Sequence, residues 1–277
     1  MRAALIQLNS SDDPARNLPI TQDHVARAAA NGAVFILTPE VTNCVSASRT
    51  RQSEVLQPQE EDMTLGALRQ QAADLNIWLL IGSLALKTDD RDGRFANRSF
   101  LIGPDGAIAA WYDKIHMFDV QVSAKETYRE SAGYRPGTRS VLARPDFGNV
   151  GLTVCYDVRF PHLYRQLAQA GAQILTVPSA FSPVTGAAHW NVLLRARAIE
   201  TGCYVLAPAQ TGMHHAVRGK QRETYGHSMA ISPWGDVLAD AGADRGIIYV
   251  DLDLSEVPKA RQRIPSLIAT PDYGSPK

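Results

Sequence analysis

Cysteine is scarce in this chain, and the spacing of its cysteines excludes two common uses of the residue. Cys44, Cys155 and Cys203 are widely separated and odd in number. They therefore form neither a disulfide framework nor the closely spaced pair that a structural zinc site needs. No metal site is predicted on this ground.

An excess of charge and a long hydrophobic run are also lacking. Lysine plus arginine and aspartate plus glutamate number 28 each, so the formal net charge is zero. Nothing therefore favours electrostatic capture of nucleic acid or of an anionic membrane. No apolar run approaches the roughly 20 residues that span a bilayer, and the apolar segment 3–8 is too short for the core of a signal peptide. We expect a cytoplasmic protein.

What is present is the composition of an ordinary soluble globular protein. The chain has 277 residues, of which 45% are hydrophobic and 20% are charged. Short apolar runs alternate with helical stretches. The first helix is predicted to end near Asn31-Gly32, and its start is left open between Pro14 and Pro19. Either proline suits a first helical turn, but Pro19 would break a helix already running.

The order of the predicted elements occurs twice. Gly32 precedes Pro39 by seven residues, and Gly171 precedes Pro178 by the same number. A helix-and-strand unit and a hairpin also recur in the same order. We infer two equivalent halves, about 1–112 and 148–250, each with an apolar sheet face to bury against its copy. The predicted fold class is α/β: a four-layer α-β-β-α sandwich with an internal pseudo-twofold duplication, forming one domain over residues 1–277.

The last segment, 255–277, is predicted to lie outside this repeat. It contains four prolines and no clear periodicity, which favours an extended arm, placed at a subunit contact.

Three predicted strands end in reactive groups. Cys155, Glu40 and Lys114 each stand directly after an apolar stretch or close to its end. Alone, each has an ordinary explanation, a packed cysteine or a solvated loop charge. Together they meet a chemical requirement, because a cysteine with a pKa near ~8.5 needs a base or a nearby cation to act as a nucleophile. Glu40 would take the thiol proton, and Lys114 with the Tyr156 backbone N–H would stabilise an oxyanion.

Three blocks around these residues resemble the nitrilase, or carbon–nitrogen hydrolase, superfamily. They are Thr38-Pro39-Glu40, Tyr112-Asp113-Lys114-Ile115-His116 and the block 151–161 that contains Cys155. The similarity extends over nearly the whole chain. It implies that Glu40 is the general base, that Lys114 supports the tetrahedral intermediate and that Cys155 is acylated. It also implies the four-layer sandwich, the absence of a cofactor, and at least a homodimer.

The same resemblance adds further residues to the predicted site. The segment Tyr128-Arg129-Glu130-Ser131 is similar to the loop that supplies a second glutamate, which makes Glu130 an orienting group for Lys114 or for the substrate amide. The residues alone would have favoured an exposed loop acid. The predicted substrate-binding residues are Tyr156, Arg159 and Phe181.

Several blocks are similar to the amidase branch that contains deaminated-glutathione amidase and omega-amidase: 115–120, 178–181, 188–190, 195–200 and 225–228. The resemblance implies hydrolysis of a linear carboxamide through a cysteine thioester. The expected substrate is deaminated glutathione, giving 2-oxoglutarate and cysteinyl-glycine. Its carboxylate needs a cation, and Arg159 is a candidate because an arginine fork binds carboxylates bidentately. Bracing of the loop after Cys155 is the equal alternative for Arg159.

Other functions stay open on the sequence. An omega-amidase acting on 2-oxoglutaramate, an amidase for carbamoyl-polyamines or simple amides, and a nitrilase would all use the same residues. A catalytically silent binding or scaffold protein is the alternative from another class, although it has no chemical need for the whole reactive set. The loop 121–127 lacks the proline-glycine usual in these amidases, and His162 stands where relatives commonly carry glutamate.

Three further features receive structural interpretations. Cys203 is predicted to lie in the core, and His214-His215 is predicted to be a surface or pocket-rim pair. Arg195 and Arg197 with Glu200 are predicted to form ion pairs on a helix.

Overall fold

Two six-stranded sheets form the framework of the protein in the computed structural model, which describes residues 1–123 and 126–269. The strands in chain order are β1 Arg2–Gln7, β2 Phe35–Leu37, β3 Trp78–Leu86, β4 Ala96–Ile102, β5 Ile108–Asp113, β6 Asp119–Ser123, β7 Glu126–Arg129, β8 Val141–Ala143, β9 Val150–Leu152, β10 Ile174–Thr176, β11 Tyr204–Ala207, β12 Thr211–Met213, β13 Glu223–Tyr225, β14 Met229–Ile231, β15 Val237–Asp240 and β16 Gly246–Asp251. The α-helices are α1 Pro14–Ala30, α2 Arg49–Val55, α3 Met63–Leu75, α4 Pro161–Gln169, α5 Pro183–Thr201 and α6 Glu256–Arg263. Short 3₁₀ turns occupy Glu130–Ala132, Cys155–Arg159 and Pro265–Leu267.

The duplication is visible in the strand order. In the first sheet, β1, β2 and β3 are parallel neighbours, followed by the antiparallel strands β4 and β5. In the second sheet, β9, β10 and β11 are parallel neighbours, followed by the antiparallel strands β14 and β15. The predicted four-layer sandwich with an internal repeat is therefore confirmed.

The predicted limits of the second half, 148–250, are wrong at both ends. Its sheet begins earlier, at β8, which pairs antiparallel with β9. The strand β16 leaves that half and pairs antiparallel with β1 of the first sheet. Without β8 and β16, β9 and β1 would each expose a row of unpaired backbone groups at a sheet edge, and the two added strands pair them.

The core lies in layers because side chains alternate along each strand. Ala3 and Leu5 of β1 face the core shared by the two sheets, whereas Ala4 and Ile6 face the layer of α1 and α3. The helices α4 and α5 cover the other side of the second sheet. Because both faces of the central strands are buried, strands such as β2 and β9 are apolar along their whole length.

The helix α1 contains Pro19, and the expectation that this residue would break a running helix is wrong. The helix begins at Pro14, with the Asp13 carboxylate accepting a hydrogen bond from the Ala15 N–H at 3.0 Å. Pro19 lies on the exposed face, where the backbone carbonyl that loses its partner can reach water.

The segment after residue 255 is not an extended arm as far as the structure describes it. Residues 256–263 form α6, whose Pro258 lies in the first turn, where no N–H is needed. Val257 and Leu267 belong to the shared core. Arg261 donates hydrogen bonds to the carbonyl oxygens of Ala172 at 2.6 Å and Thr201 at 3.0 Å. The rest of the predicted arm, 270–277, lies outside the described residues.

Among the residues that the structure describes, no helix is both long and apolar enough to cross a lipid bilayer.

Candidate active site

Glu40, Lys114 and Cys155 come from different strand ends and meet beneath one cavity. Glu40 follows β2 and Lys114 follows β5 in the first sheet, while Cys155 follows β9 in the second. Their exposed fractions are 5%, 2% and 7%. The cavity above them has a volume of about 730 Å³, within the range of about 300–1,000 Å³ that is usual for small-molecule sites.

The Glu40 carboxylate lies between the two sheets. Its Oε1 accepts hydrogen bonds from the Lys114 Nζ at 3.0 Å and the Asn97 Nδ2 at 2.9 Å. Its Oε2 accepts the Ala180 N–H at 2.8 Å, and the Cys155 thiol is a further hydrogen-bond partner. These contacts orient the carboxylate and place it against the thiol.

Glu130 is also part of this cluster. Both of its carboxylate oxygens lie 2.8 Å from the Lys114 Nζ, and its Oε2 accepts the Phe118 N–H at 2.6 Å. The ammonium group of Lys114 is thus held between Glu40 and Glu130. Glu130 contacts the lysine rather than facing solvent as an ordinary loop acid.

A tight turn presents Cys155. Its φ of 50° lies in the left-handed region, which is unfavourable for a residue with a Cβ. The buried Asp157 holds the turn: its Oδ2 accepts the Val154 N–H at 2.8 Å and the Tyr112 hydroxyl at 2.7 Å. Its Oδ1 contacts the His116 N–H at 3.1 Å and Nδ1 at 2.7 Å. These bonds keep the thiol pointing at the cluster despite the strain.

The charged groups of the cluster stabilise one another. Burial by itself would raise the pKa of Glu40, but the Lys114 ammonium and hydrogen bonds from Cys155, Lys114 and Asn97 outweigh it and lower that pKa. Burial would lower the pKa of Lys114, but the Glu130 and Glu40 carboxylates outweigh it and raise that pKa well above its usual value. Glu40 is therefore ionised and Lys114 protonated at neutral pH.

The thiol beside them keeps its proton. Burial raises the pKa of Cys155, and the neighbouring Glu40 charge raises it further, while Lys114 partly opposes this effect. A protonated thiol thus lies in hydrogen-bond contact with an ionised carboxylate. Chemically, this pair can generate a thiolate at the moment of attack by passing the proton to Glu40.

The three predicted substrate-binding residues differ in whether they line the cavity. Tyr156 and Phe181 line the cavity, and Arg159 is not among the described residues that line it. The Arg159 guanidinium carbon lies 5.9 Å from the centre of the Tyr156 ring and 5.5 Å from that of Phe181. Its Nη2 is 3.2 Å from the Nδ1 of His189. Arg159 therefore lies behind the two rings that face the cavity.

Sequence reasoning missed Asn97, Asp157 and Arg222. Asn97 belongs to the polar first half of β4, beside Arg98 and Ser99, so its residue type does not single it out in the sequence. Asp157 lies in the block around Cys155 and was assigned no role. Arg222 lines the cavity from a hairpin whose sequence carries no motif. Asn97 and Arg222 acquire their places through contacts with residues distant in the chain, and Asp157 combines such contacts with one to the nearby Val154.

The structural interpretations of other residues have mixed outcomes. Cys203 is fully buried, as predicted, and Arg197 forms the predicted ion pair with Glu200 at 2.7 Å. Arg195 instead donates a hydrogen bond to the Gly235 carbonyl oxygen at 2.8 Å. The prediction of a surface or pocket-rim pair at 214–215 is wrong for His214, which is 1% exposed and is not among the described residues that line the cavity. Its ring nitrogens contact the Ser10 carbonyl and the Thr224 hydroxyl, both at 2.7 Å. Within the described part of the chain, no group of three metal-binding side chains occurs.

Comparisons with known proteins identify relatives that match almost the whole chain. The family model described as carbon-nitrogen hydrolase matches residues 2–262. A deaminated glutathione amidase of Synechocystis sp. is 38% identical over 269 residues, which cover 96% of each chain. Among solved structures, the NitFhit protein of C. elegans has a TM-score of 0.87 at 35% identity, covering 95% of this chain and 63% of that one. Nit3 of Saccharomyces cerevisiae, a member of the nitrilase superfamily, has a TM-score of 0.83 at 29% identity, covering 96% and 94%.

The family model and the solved structures thus match the chain over almost its whole length. Glu40, Lys114 and Cys155 lie inside the region that the family model matches. The chain therefore belongs to the carbon-nitrogen hydrolase family of the nitrilase superfamily, and it is an enzyme that hydrolyses amides.

Proposed function

We propose that the protein hydrolyses deaminated glutathione to 2-oxoglutarate and cysteinyl-glycine through a thioester on Cys155. The observation that carries the proposal is the buried contact of the protonated Cys155 thiol with the ionised Glu40, whose carboxylate is bound to Lys114. Cysteine attack on an amide needs this combination of a nucleophile, a base and a cation.

In the first half of the reaction, Glu40 takes the proton from the Cys155 Sγ as the sulfur attacks the amide carbon. The electron pair of the C=O bond moves to oxygen, and Lys114 with the Tyr156 backbone N–H stabilises the resulting oxyanion. When the intermediate collapses, the C–N bond breaks and Glu40 donates its proton to the leaving nitrogen. Cysteinyl-glycine departs as an amine, and the acyl group remains bonded to sulfur.

In the second half, Glu40 takes a proton from water as the water oxygen attacks the thioester carbon. Collapse of this intermediate breaks the C–S bond, and the proton on Glu40 returns to the sulfur. The products are 2-oxoglutarate and the free thiol, so atoms and charge balance. Glu130 keeps the Lys114 ammonium in position through both halves, because both of its oxygens contact Nζ.

The choice of substrate is supported by the relatives and by the cavity. Proteins that are 38% identical to this chain are named deaminated glutathione amidase, and the cavity has room for more than a simple amide. In this proposal Tyr156 and Phe181 contact the acyl group. Arg159, beside both rings, binds the carboxylate next to the 2-oxo group after a change of its side-chain rotamer.

The test is to incubate the purified protein separately with deaminated glutathione and with 2-oxoglutaramate and to measure the 2-oxoglutarate formed. A higher kcat/KM for deaminated glutathione is expected. A higher kcat/KM for 2-oxoglutaramate would make the protein an omega-amidase instead. Hydrolysis of neither compound would reject this substrate class while leaving the protein an amidase.

We also propose that the protein is a cytoplasmic homodimer. Apolar side chains of Val192 and Ile199 on α5, and of Ile264 and Ile268 beyond α6, are exposed on the single chain, as expected for a surface that a second copy covers. The free thiols of Cys44 and Cys155 suit a reducing compartment. Sedimentation velocity at micromolar protein concentration tests the oligomeric state, and a monomer would contradict the proposed dimer. The cellular distribution of a fluorescent fusion tests the cytoplasmic location.

A further inference from the structure

The cavity carries more positive charge than the catalytic cluster uses. Besides Lys114, whose charge is shared by Glu40 and Glu130, the described residues that line the cavity include four basic side chains and one further acid, listed here together: Arg49, Arg129, Lys220, Arg222 and Glu223. None of the ion pairs that the structure describes involves Lys220 or Arg222. Among the described residues, these two cavity-lining cations therefore have no carboxylate partner.

Arg222 lies close to the reaction centre. Its Nη2 donates a hydrogen bond to the Ala180 carbonyl oxygen at 3.4 Å. The N–H of the same alanine donates to the Glu40 Oε2 at 2.8 Å. One residue thus separates the guanidinium group from the catalytic carboxylate, and Arg222 has further N–H donors for a ligand.

The hairpin that carries Arg222 is held in place before any ligand binds. The His214 N–H donates to the Arg222 carbonyl oxygen at 2.8 Å across the hairpin of β12 and β13. The connecting loop is fastened to the first half, because the Asp12 Oδ2 accepts the backbone N–H groups of Val217 at 2.8 Å and Arg218 at 3.3 Å. A preformed site loses less conformational entropy when a ligand binds.

We propose that Arg222, assisted by Lys220, binds the carboxylate of the leaving group, so that the enzyme selects amides whose amine portion ends in an acid. This inference rests on the proposed function. The acyl portion is short and stays beside Cys155, whereas an extended two-residue leaving group spans about 7 Å and can place its terminal carboxylate among the basic side chains that line the cavity. Its terminal carboxylate matches the arginine fork. The leaving group of 2-oxoglutaramate is ammonia, which has no such carboxylate.

The test compares kcat/KM for deaminated glutathione and for its C-terminal carboxamide, which differ only in the charge of the leaving group. The wild-type protein is expected to prefer the acid about 10- to 100-fold. Arg222→Gln is expected to abolish that preference, mainly through KM, and Arg222→Lys is expected to restore part of it. Arg218→Gln is the matched control, since Arg218 lies on the same loop but pairs with Glu54, and it should keep the preference.

Two results would overturn the subsite. One is a wild-type protein that hydrolyses the acid and the carboxamide equally well. The other is an equal loss on both compounds in Arg222→Gln, which would place Arg222 on the acyl side or in a structural role.

Calorimetric binding of both compounds to Cys155→Ala separates the subsite from the proposed function. If the wild-type protein fails to hydrolyse deaminated glutathione but Cys155→Ala binds the acid more tightly than the carboxamide, and the additional Arg222→Gln change removes that difference, the function fails and the subsite stands. Hydrolysis without any discrimination in binding leaves the function intact and overturns the subsite. Absence of both hydrolysis and binding overturns both.

Discussion

At the reaction centre, the shifts in pKa of Glu40 and Cys155 keep the negative charge on the carboxylate and the proton on the thiol. Burial dominates at the thiol, whereas Lys114 and three hydrogen-bond donors overcome burial at the carboxylate. A resting thiolate would be reactive towards any electrophile that enters the cavity. In the proposed mechanism the thiolate forms only when a substrate is bound, which keeps Cys155 from reacting with other electrophiles.

Replacement of Cys155, the proposed nucleophile, gives the first prediction. Cys155→Ala should lower amide hydrolysis by about 10³-fold or more, because no other side chain in the cluster can form the thioester. The fold should persist, since only one sulfur is removed. Cys203→Ala is the matched control: Cys203 is also buried, but its Sγ contacts the Ala172 and Thr201 carbonyl oxygens and not the cluster, so its replacement should leave kcat near the wild-type value. Appreciable turnover by Cys155→Ala, measured as product formation, would remove Cys155 from its assigned role.

The acid limb of the pH profile gives the second prediction. In the proposed mechanism hydrolysis needs ionised Glu40, so kcat/KM should be constant near neutral pH and fall as the pH drops through the lowered pKa of Glu40, below its usual 4.5. Asn97→Ala removes one of the hydrogen bonds that lower this pKa, so the acid limb should move to higher pH. The measurement is kcat/KM as a function of pH.

The control for this prediction is another buried asparagine. Asn17→Ala removes hydrogen bonds to the Ser11 and Asn43 carbonyls, away from the cluster, and should cost about 1–3 kcal/mol of stability without moving the limb. An unchanged limb in Asn97→Ala would mean that Asn97 does not influence Glu40.

Among the elements, the hairpin of β12 and β13 depends on a neutral histidine. Burial lowers the pKa of His214 to about 4 from 6.5, and Arg222 adds to this effect, while a hydrogen bond with Ser10 opposes it. The unfolded chain therefore binds this proton between pH 6.5 and about 4, and the folded chain does not. The contribution of neutral His214 to the free energy of unfolding is fully present above pH 6.5. It falls by about 3 kcal/mol as the pH drops to 4.

His214→Gln tests this third prediction through urea unfolding at pH 7.5 and pH 5. The variant should be less stable than the wild type at pH 7.5, because the hydrogen bonds to Ser10 and Thr224 are weakened. It should lose less stability than the wild type between the two pH values. His24→Gln is the control, since His24 is not buried, and an equal slope for His214→Gln and the wild type would contradict the interpretation.

The contact between β3 and the strand ends that carry the site gives the fourth prediction. A Cβ at Gly82 would overlap the Thr38 carbonyl oxygen and lie 2.5 Å from the Pro178 Cβ. Gly82→Ala should therefore cost at least about 2 kcal/mol of stability and reduce activity by displacing Glu40. Gly66→Ala is the matched control: Gly66 lies in α3 with nothing within 4 Å of the added Cβ, so it should gain about 0.5–1 kcal/mol. Denaturant unfolding measures both, and a neutral Gly82→Ala would contradict the close packing.

At the scale of the whole molecule, the C-terminal helix fastens the second half through Arg261. This side chain donates to the backbone carbonyls of Ala172 and Thr201 and contacts the Cys203 sulfur. The fifth prediction is that Arg261→Met lowers the free energy of unfolding by about 1–3 kcal/mol, because two carbonyls lose charged donors. Lys259→Met on the same helix removes only an exposed pair with Glu256 and should change stability little. Similar unfolding midpoints for the two variants would contradict a structural role for α6.

Much of this architecture was predictable from local pattern. Strand and helix order follow from apolar periodicity and turn residues, so the duplicated sandwich emerged from the repeat itself. Pro19 and the tail 255–269 were misjudged for one reason: a proline was taken as a breaker without knowing whether its backbone faces solvent or lies in a first turn. The single domain over 1–277 and the roles assigned to the site residues stay predictions.

The sequence by itself determined the layers, the strand ends that carry Glu40, Lys114 and Cys155, and, through resemblance, the family. Each of these depends on residue type and on spacing along one segment. The tertiary structure alone decided that β16 joins the first sheet, that Asn97 and Asp157 orient the reactive groups, and that Arg222 faces the cavity while Arg159 lies behind its rings. It also set the directions of the pKa shifts. Burial and charge proximity arise between segments distant in the chain, so no local pattern encodes them.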